Sequence, residues 1–339
     1  MKKILHLFIF TLLFNTGFTQ GIDSIRLFTD EALIDVTLTT DYKKLSSESG
    51  IDVYQDAQIS FRMPDSTKVD ANITLAARGH FRRDYCQIPP ILLNFETPAS
   101  AQLNNLGKLK LVIGCGTGTE NEQLILKEYL CYRMYNLIED KSFRVRLLRV
   151  NFLDSRNRVK PFSQYAFLIE DDADMARRNG CKKLDVTGIN TETTHRHTMT
   201  TVAIFEYMIS NTDWSIPNNH NIKLLADKKD PNGPPYVVPY DFDHSGLVNA
   251  GYAVPNEVIG TESVTERVYR GFGRTMDELN MSIEKFKAQK EATYNMIRNF
   301  QLIREKTRNE MISYLDAFYD IISSPSKVKK EFIDNARTN

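Results

Sequence analysis

Two short stretches hold the residues best suited to chemistry. NTDWSIPNNHN, at 211–221, places Asp213 five residues before Asn218 and eight before Asn221, just after an apolar run. VPYDFDHSG, at 238–246, places Asp241 and Asp243 at i and i+2 after the apolar YVVPY. On an extended chain such a pair faces one way. Ser245 and Gly246 would let the chain turn closely past a ligand. Carboxylates and amides are hard oxygen donors that suit Mg²⁺, whereas thiolates do not. Phosphoryl transfer needs such a set: an acid near the acceptor hydroxyl, an acid and an amide on the metal, and a cation on the phosphates.

The spacing from Asp213 to Asn218 equals the Asp-to-Asn offset of the kinase catalytic loop. Asn221, opening the next strand, is the rival amide. For the cation, Lys108 and Lys110 alternate in KLKLVIG and share a strand face. Glu128 in the following helix would pair with one of them. GCGTGT lacks the G-K-[ST] ending of a phosphate loop and reads as a turn. The arginines of RGHFRRDYC and FRVRLLR have the fork geometry for a phosphate or carboxylate. His220 and His244 flank the acid motifs, and Trp214 reads as a packing anchor for its loop. G-x-S-x-G and H-E-x-x-H are absent from the sequence. A pair of glycosidase carboxylates is conceivable, but the surrounding Asn residues and DFD favour metal.

These residues need a scaffold. From 22 to 79 the chain reads as strands at period two: VTLTT, AQISFRM and ANITLAARG. PPILLNF and GKLKLVIG continue the pattern, then ENEQLILKEYLCYRMYNLIED reads as a helix. FRVRLLRVNFLD and FSQYAFLIED are strands, and MARRNGC a helix ending at Gly180. THRHTMTTVAIFEYMIS is a helical stripe that delivers NTDWS, and NIKLLAD with YVVPYDFD forms a hairpin. Residues 275–322 have helical periodicity, and a charged tail follows at 326–339.

The chain has 339 residues, 42% hydrophobic and 25% charged, enough for a sizeable core. Lys+Arg and Asp+Glu both number 43, so net charge gives no reason to expect a nucleic-acid partner. MKKILHLFIFTLLFNTGFTQ has a secretory leader layout, with cleavage near Gln20. Its apolar run is too short to span a bilayer, so no transmembrane segment is expected in the mature chain. Export permits disulfides. Among the four cysteines, Cys86 and Cys115 each flank an apolar strand-like segment and are the favoured pair; four buried thiols are the alternative.

The ordered set RG-x-FRR, FLIEDD, NTDWSIPNNHN and PYDFDHSG resembles the CotH family of secreted, spore-coat-type protein kinases, over roughly residues 70–250. The resemblance implies an α+β, atypical two-lobed protein-kinase-like fold, β-rich in its N-terminal lobe and mainly helical in its C-terminal lobe. The leader would be 1–19 and the domain 20–325, with lobes of about 22–170 and 171–325. Asp213 matches the catalytic acid, and Asn221 (or Asn218) with Asp241 and Asp243 the metal ligands. Arg78 and Gly79 match the front element that covers phosphates, although Ala76 departs from the family's R-x-RG. Glu170 matches the hinge where backbone groups meet an adenine, while Asp171, Asp172 and Asp174 read equally as helix caps.

The expected protein is an exported phosphotransferase using ATP and Mg²⁺ or Mn²⁺ on a protein or other hydroxyl acceptor. Its location would be periplasmic, cell-surface or extracellular. A non-catalytic surface-assembly module that keeps the metal site is the main rival, and a metal-dependent phosphate-ester hydrolase the third.

Overall fold

The computed structural model describes residues 27–48, 53–79, 82, 86–96, 103 and 105–338. The expected leader, 1–19, lies outside them. Seven strands close into a barrel: β1 (Ile34–Thr40), β2 (Gln55–Arg62), β3 (Lys68–Ala77), β4 (Ile91–Asn94), β5 (Lys108–Val112), β6 (Val145–Asp154) and β7 (Phe162–Ile169). Their order is β1-β2-β3-β4-β5-β7-β6. Every neighbouring pair is antiparallel except the seam, where β1 runs parallel to β6 with Val36 opposite Val150. Period-two alternation turns Val36, Leu38, Ile59, Phe61, Ile73, Leu75, Leu93 and Val150 into one apolar interior.

This architecture corrects the expected two-lobed kinase-like fold. The strands do not form the β-rich lobe of a kinase; they close on themselves, because β1 pairs with β6 as well as β2. Closure leaves the sheet no edge.

A second apolar core gathers the helices and a small sheet. α1 (Tyr42–Ser47) is a short helix after β1, and α2 (Thr119–Ile138) packs on β6 and β7. The first turn of α2 carries Glu120 and Glu122, which suit its N-terminal dipole. α3 (Asp172–Arg178) begins at Asp171, whose side chain accepts from the Ala173 and Asp174 amides. Such a cap contributes about 1 kcal/mol. α4 (Arg196–Ile209) is buried along nearly its whole length. α5 (Met276–Ala288), α6 (Lys290–Asn299), α7 (Glu305–Ile322) and α8 (Pro325–Lys329) follow. The antiparallel sheet has order β10-β9-β8, from β8 (Cys181–Leu184), β9 (Ile222–Asp227) and β10 (Tyr236–Pro239). The charged segment does not run free in solvent over its described residues, 326–338: Val328 and Phe332 are buried, and the Phe332 ring lies 5.0 and 4.9 Å from Tyr207 and Tyr269.

Cys86 and Cys115 form a disulfide, as favoured from their positions, while Cys131 and Cys181 are buried thiols. Among the described residues no helix is long and apolar enough to cross a membrane.

Candidate functional site

The first motif starts where α4 stops. Ser210 takes the left-handed conformation (φ 53°) and ends the helix. Asn211 then accepts the Asp213 amide on Oδ1 at 3.0 Å, a local turn that aims Asp213 outward. Ser215 and His220 exchange backbone hydrogen bonds of 3.0 and 2.9 Å, closing the loop into a small bridge. Trp214 is buried beneath it, and Arg270 Nη1 donates to the Trp214 carbonyl at 2.7 Å and to the Thr212 carbonyl. Thus pinned, the loop brings His220 Nε2 to 2.8 Å from Asp213 Oδ1. Asn221 Nδ2 donates to Asp213 Oδ2 at 2.9 Å and to its carbonyl at 2.8 Å.

The second motif is bonded directly to the first. Tyr240 N–H donates to Asn221 O at 3.1 Å, Gly246 N–H to Ser210 O at 2.9 Å, and Leu247 N–H to Ile209 O at 3.0 Å. Gly246 is needed for close approach, but to protein: a Cβ there would lie 2.4 Å from the Val264 carbonyl oxygen. The expected extended run through Asp243 is not formed. β10 ends at Pro239, and Asp241 has φ 65°, with its N–H bonded to Tyr132 Oη at 2.8 Å. Among the described residues, seven other than glycine have positive φ, and five of them lie from Ser210 to Asn249. Sparsely populated backbone conformations of this kind gather at functional sites. Phe242, packed between Tyr132 and Phe205 at 4.7 and 5.5 Å, anchors the turn. Burying such a side chain contributes about 1.5–3 kcal/mol.

Behind the turn lies a buried charge cluster. Asp243 accepts from Tyr252 Oη at 2.9 Å and faces Arg82 Nη1 at 3.7 Å. Glu128, 1% exposed, has neither carboxylate oxygen hydrogen-bonded. Burial pushes its carboxyl well up, Asp243 and Asp241 push further, and Arg82 and Arg78 oppose. Asp241 is raised by burial and by Asp243, against Arg78, Arg82 and Lys110. Arg82 was foreseen only as one of several arginines. The disulfide holds its segment: Gln87 N–H bonds Cys115 O at 3.1 Å, and an Arg82 guanidinium nitrogen donates to Ile113 O.

Several expected partnerships are different in the fold. Glu128 pairs with neither lysine. Lys108 points to the surface, with Nζ 3.5 Å from Glu96. Lys110, 3.1 Å from Asp172, bonds there instead. The two lysines share a strand face but reach different surroundings. Asn218 sits on the exposed tip of the loop, its N–H 3.4 Å from Ser215 Oγ, so Asn221 is the amide that meets Asp213. The Glu170 carboxylate is a clasp rather than an open hinge group: it takes Arg178 at 2.9 and 3.0 Å and the Arg144 amide at 3.1 Å. Its own N–H is bonded to Arg144 O. Arg78 is half-buried with Nε lacking a hydrogen-bond partner, beside Asp241. Glu206 was missed, although a lone acid within AIFEYMI on a buried helix was a usable signal.

Asp241, Asp243 and Asn221 Oδ1 are hard oxygen donors of the kind a divalent cation takes, and the buried Glu128 carboxyl near the two acids has no hydrogen bond. Among the described residues, no group of three or more His, Cys, Asp or Glu is placed to hold a metal by itself. Mg²⁺ is often held by one or two carboxylates plus phosphates and water, and these residues suit that mode. The chain matches no protein-family model and no curated protein sequence.

Proposed function

We propose that the chain is an exported, Mg²⁺- or Mn²⁺-dependent phosphotransferase that moves a phosphoryl group from ATP to a hydroxyl on a protein or other acceptor. The supporting observation is the buried Glu128 carboxylate without a hydrogen bond, set beside Asp241 and Asp243 and opposite Arg78 and Arg82. Acids and arginines so close together suit a ligand carrying both cation and phosphate. In this reading Asp213 orients the acceptor hydroxyl and takes its proton, held by Asn221 on one oxygen and by His220 on the other. Arg82 and Arg78 steady charge on the transferred group. A divalent ion held by Asp241, Asp243 and Asn221 Oδ1 would neutralise the phosphates. The motif order shared with the CotH family, the leader pattern and the disulfide agree with an exported enzyme of that kind.

One observation favours a second reading, a non-catalytic surface-assembly module. Lys110 is bonded to Asp172 and not to Glu128, so the lysine–glutamate pair of kinases is not made. One experiment separates the two. Purified protein is incubated with γ-labelled ATP, Mg²⁺ or Mn²⁺ and generic protein acceptors, beside Asp213→Ala. Metal-dependent label on the acceptor, lost in the variant, supports transfer. Metal-dependent stabilisation without label, equal in both proteins, supports the module.

A further inference from the structure

Three ammonium groups meet one carboxylate where the barrel faces the small sheet. Lys110 of β5 lies 3.1 Å from Asp172 Oδ1, and Lys183 of β8 and Lys223 of β9 lie 3.6 and 3.5 Å from Oδ2. Lys183 also reaches the exposed Asp185 at 3.1 Å. The Tyr240 ring sits against two of these cations, with Lys110 at 4.8 Å and Lys223 at 5.1 Å from its centroid. Arg78 adds positive charge near Lys110. Three lysines therefore meet Asp172 and one solvated aspartate, and Arg78 and Lys110 also act on Asp241, so four cations stand against three carboxyl groups, a local surplus of positive charge. The lysines are 24%, 29% and 15% exposed at positions 110, 183 and 223, so an anion can reach them from solvent.

Crowded cations of like sign need compensation when water is partly excluded. Burial pushes Lys110 down; Arg78 and Lys223 push it further, and Asp172 only partly opposes them. Burial likewise pushes Asp172 up, yet the lysines together hold it below the usual carboxylate range. Asp172 is thus a firmly ionised anion serving three cations. It is not needed as the helix cap, since Asp171 fills that role. Tyr240 directly precedes Asp241, and Lys223 lies two residues past Asn221, so the cluster adjoins the acids.

We propose that Lys110, Lys183 and Lys223 form a cradle for a polyphosphate anion, and that Asp172 occupies it as an internal stand-in which the phosphate displaces. This rests on reading the adjoining acids as a phosphate-handling site. It adds a built-in competitor: the ligand must exchange with a carboxylate already bound.

The test is calorimetric titration of the purified protein with tripolyphosphate, and separately with ATP, both in EDTA. Parent, Lys183→Ala, Lys223→Ala and Asp172→Asn are compared, each first checked for folding by circular dichroism and melting. Each lysine variant should bind tripolyphosphate about tenfold more weakly. Asp172→Asn should bind it several-fold more tightly, because the competitor is gone. Lysine variants that bind like the parent, or an Asp172→Asn protein that binds more weakly, would overturn the cradle. If Lys223→Ala does not fold, Lys183→Ala, whose side chain is more exposed, carries the same test. Tighter binding of ATP than of tripolyphosphate by the parent, with equal lysine-dependent losses, identifies the nucleotide as the source; lysine-dependent binding in which ATP gains nothing over tripolyphosphate identifies a polyphosphate without a base. Both support the cradle. Metal-free binding does not involve Asp213, so a failed transfer assay and a failed cradle are distinguishable.

Discussion

Asn221 Nδ2 bonds Asp213 twice, to its main-chain oxygen at 2.8 Å and to Oδ2 at 2.9 Å. One amide thereby fixes both the backbone and the carboxylate of Asp213, the residue proposed to orient an acceptor hydroxyl. Asn221 has φ 51°, a conformation that Asn tolerates better than most residues. Asn221→Ala should lose both the bonds and the backbone fit, costing about 1–3 kcal/mol in urea denaturation. Asn221→Gly should recover part of that stability, because glycine accepts the backbone. Phosphoryl transfer should stay depressed by about a hundredfold or more in both variants. Recovery of transfer in the glycine variant would show that the amide only shapes the chain.

Glu206 is 1% exposed, and neither of its carboxylate oxygens has a hydrogen-bond partner. Burial raises its carboxyl well above the ordinary range; Asn211 and Arg270 draw it partly back, and Asp213 adds to the rise. A raised folded value favours the protonated form. Its contribution is fully present below the unfolded value of about 4.3 and is lost as pH climbs through the folded one. Glu206→Gln should therefore melt close to the parent near pH 4 and above it at pH 8. Parallel melting curves across that range would mean that Glu206 does not titrate between the folded and unfolded states.

Gly246→Ala tests how the two motif loops are joined. The added Cβ meets the Val264 carbonyl oxygen at 2.4 Å and Thr265 Cα at 2.7 Å, both backbone atoms. The expected cost is about 1–3 kcal/mol, read from denaturant midpoints. Because Gly246 bonds Ser210, metal-dependent stabilisation should fall as well. An unchanged midpoint would mean that the Val264 strand of contacts yields easily.

Removing the disulfide with Cys86→Ser and Cys115→Ser opens a loop with sequence separation 29. Loop entropy puts the cost at about 3–4 kcal/mol. The same change loosens the segment that carries Arg82 toward Asp243. Binding of ATP with Mn²⁺ should weaken more than binding of Mn²⁺ alone. Equal weakening of both would assign Arg82 no role toward phosphate.

Much of the barrel was legible in the chain because VTLTT, AQISFRM and ANITLAARG obey a local rule, the alternation of side chains on a strand. Closure was not legible, since Val36 and Val150 meet in a parallel pair that leaves no mark on neighbouring residues. Cys181–Leu184 escaped notice as a strand because four residues with two lysines carry no periodic signal; β9 makes them a strand by pairing. At the candidate site, the order of Asp213, Asn221, Asp241 and Asp243 was readable, and so was the hairpin that bonds the Tyr240 amide to Asn221 O. Which lysine meets which acid was not. Glu128 was matched by analogy to one of Lys108 and Lys110, whereas the fold offers Glu96 to Lys108, Asp172 to Lys110 and arginines to Glu128.

The parallel seam also bears on how the molecule is made. As the chain emerges from its N-terminal end, β1 finds β2 at once, but its other flank waits until β6 has been delivered. During that interval the sheet has an open side, ready to pair with a stray strand. Contacts between such distant segments form late and slowly. The vulnerable moment is then the synthesis of residues 41–144, and a holding chaperone would act most usefully there.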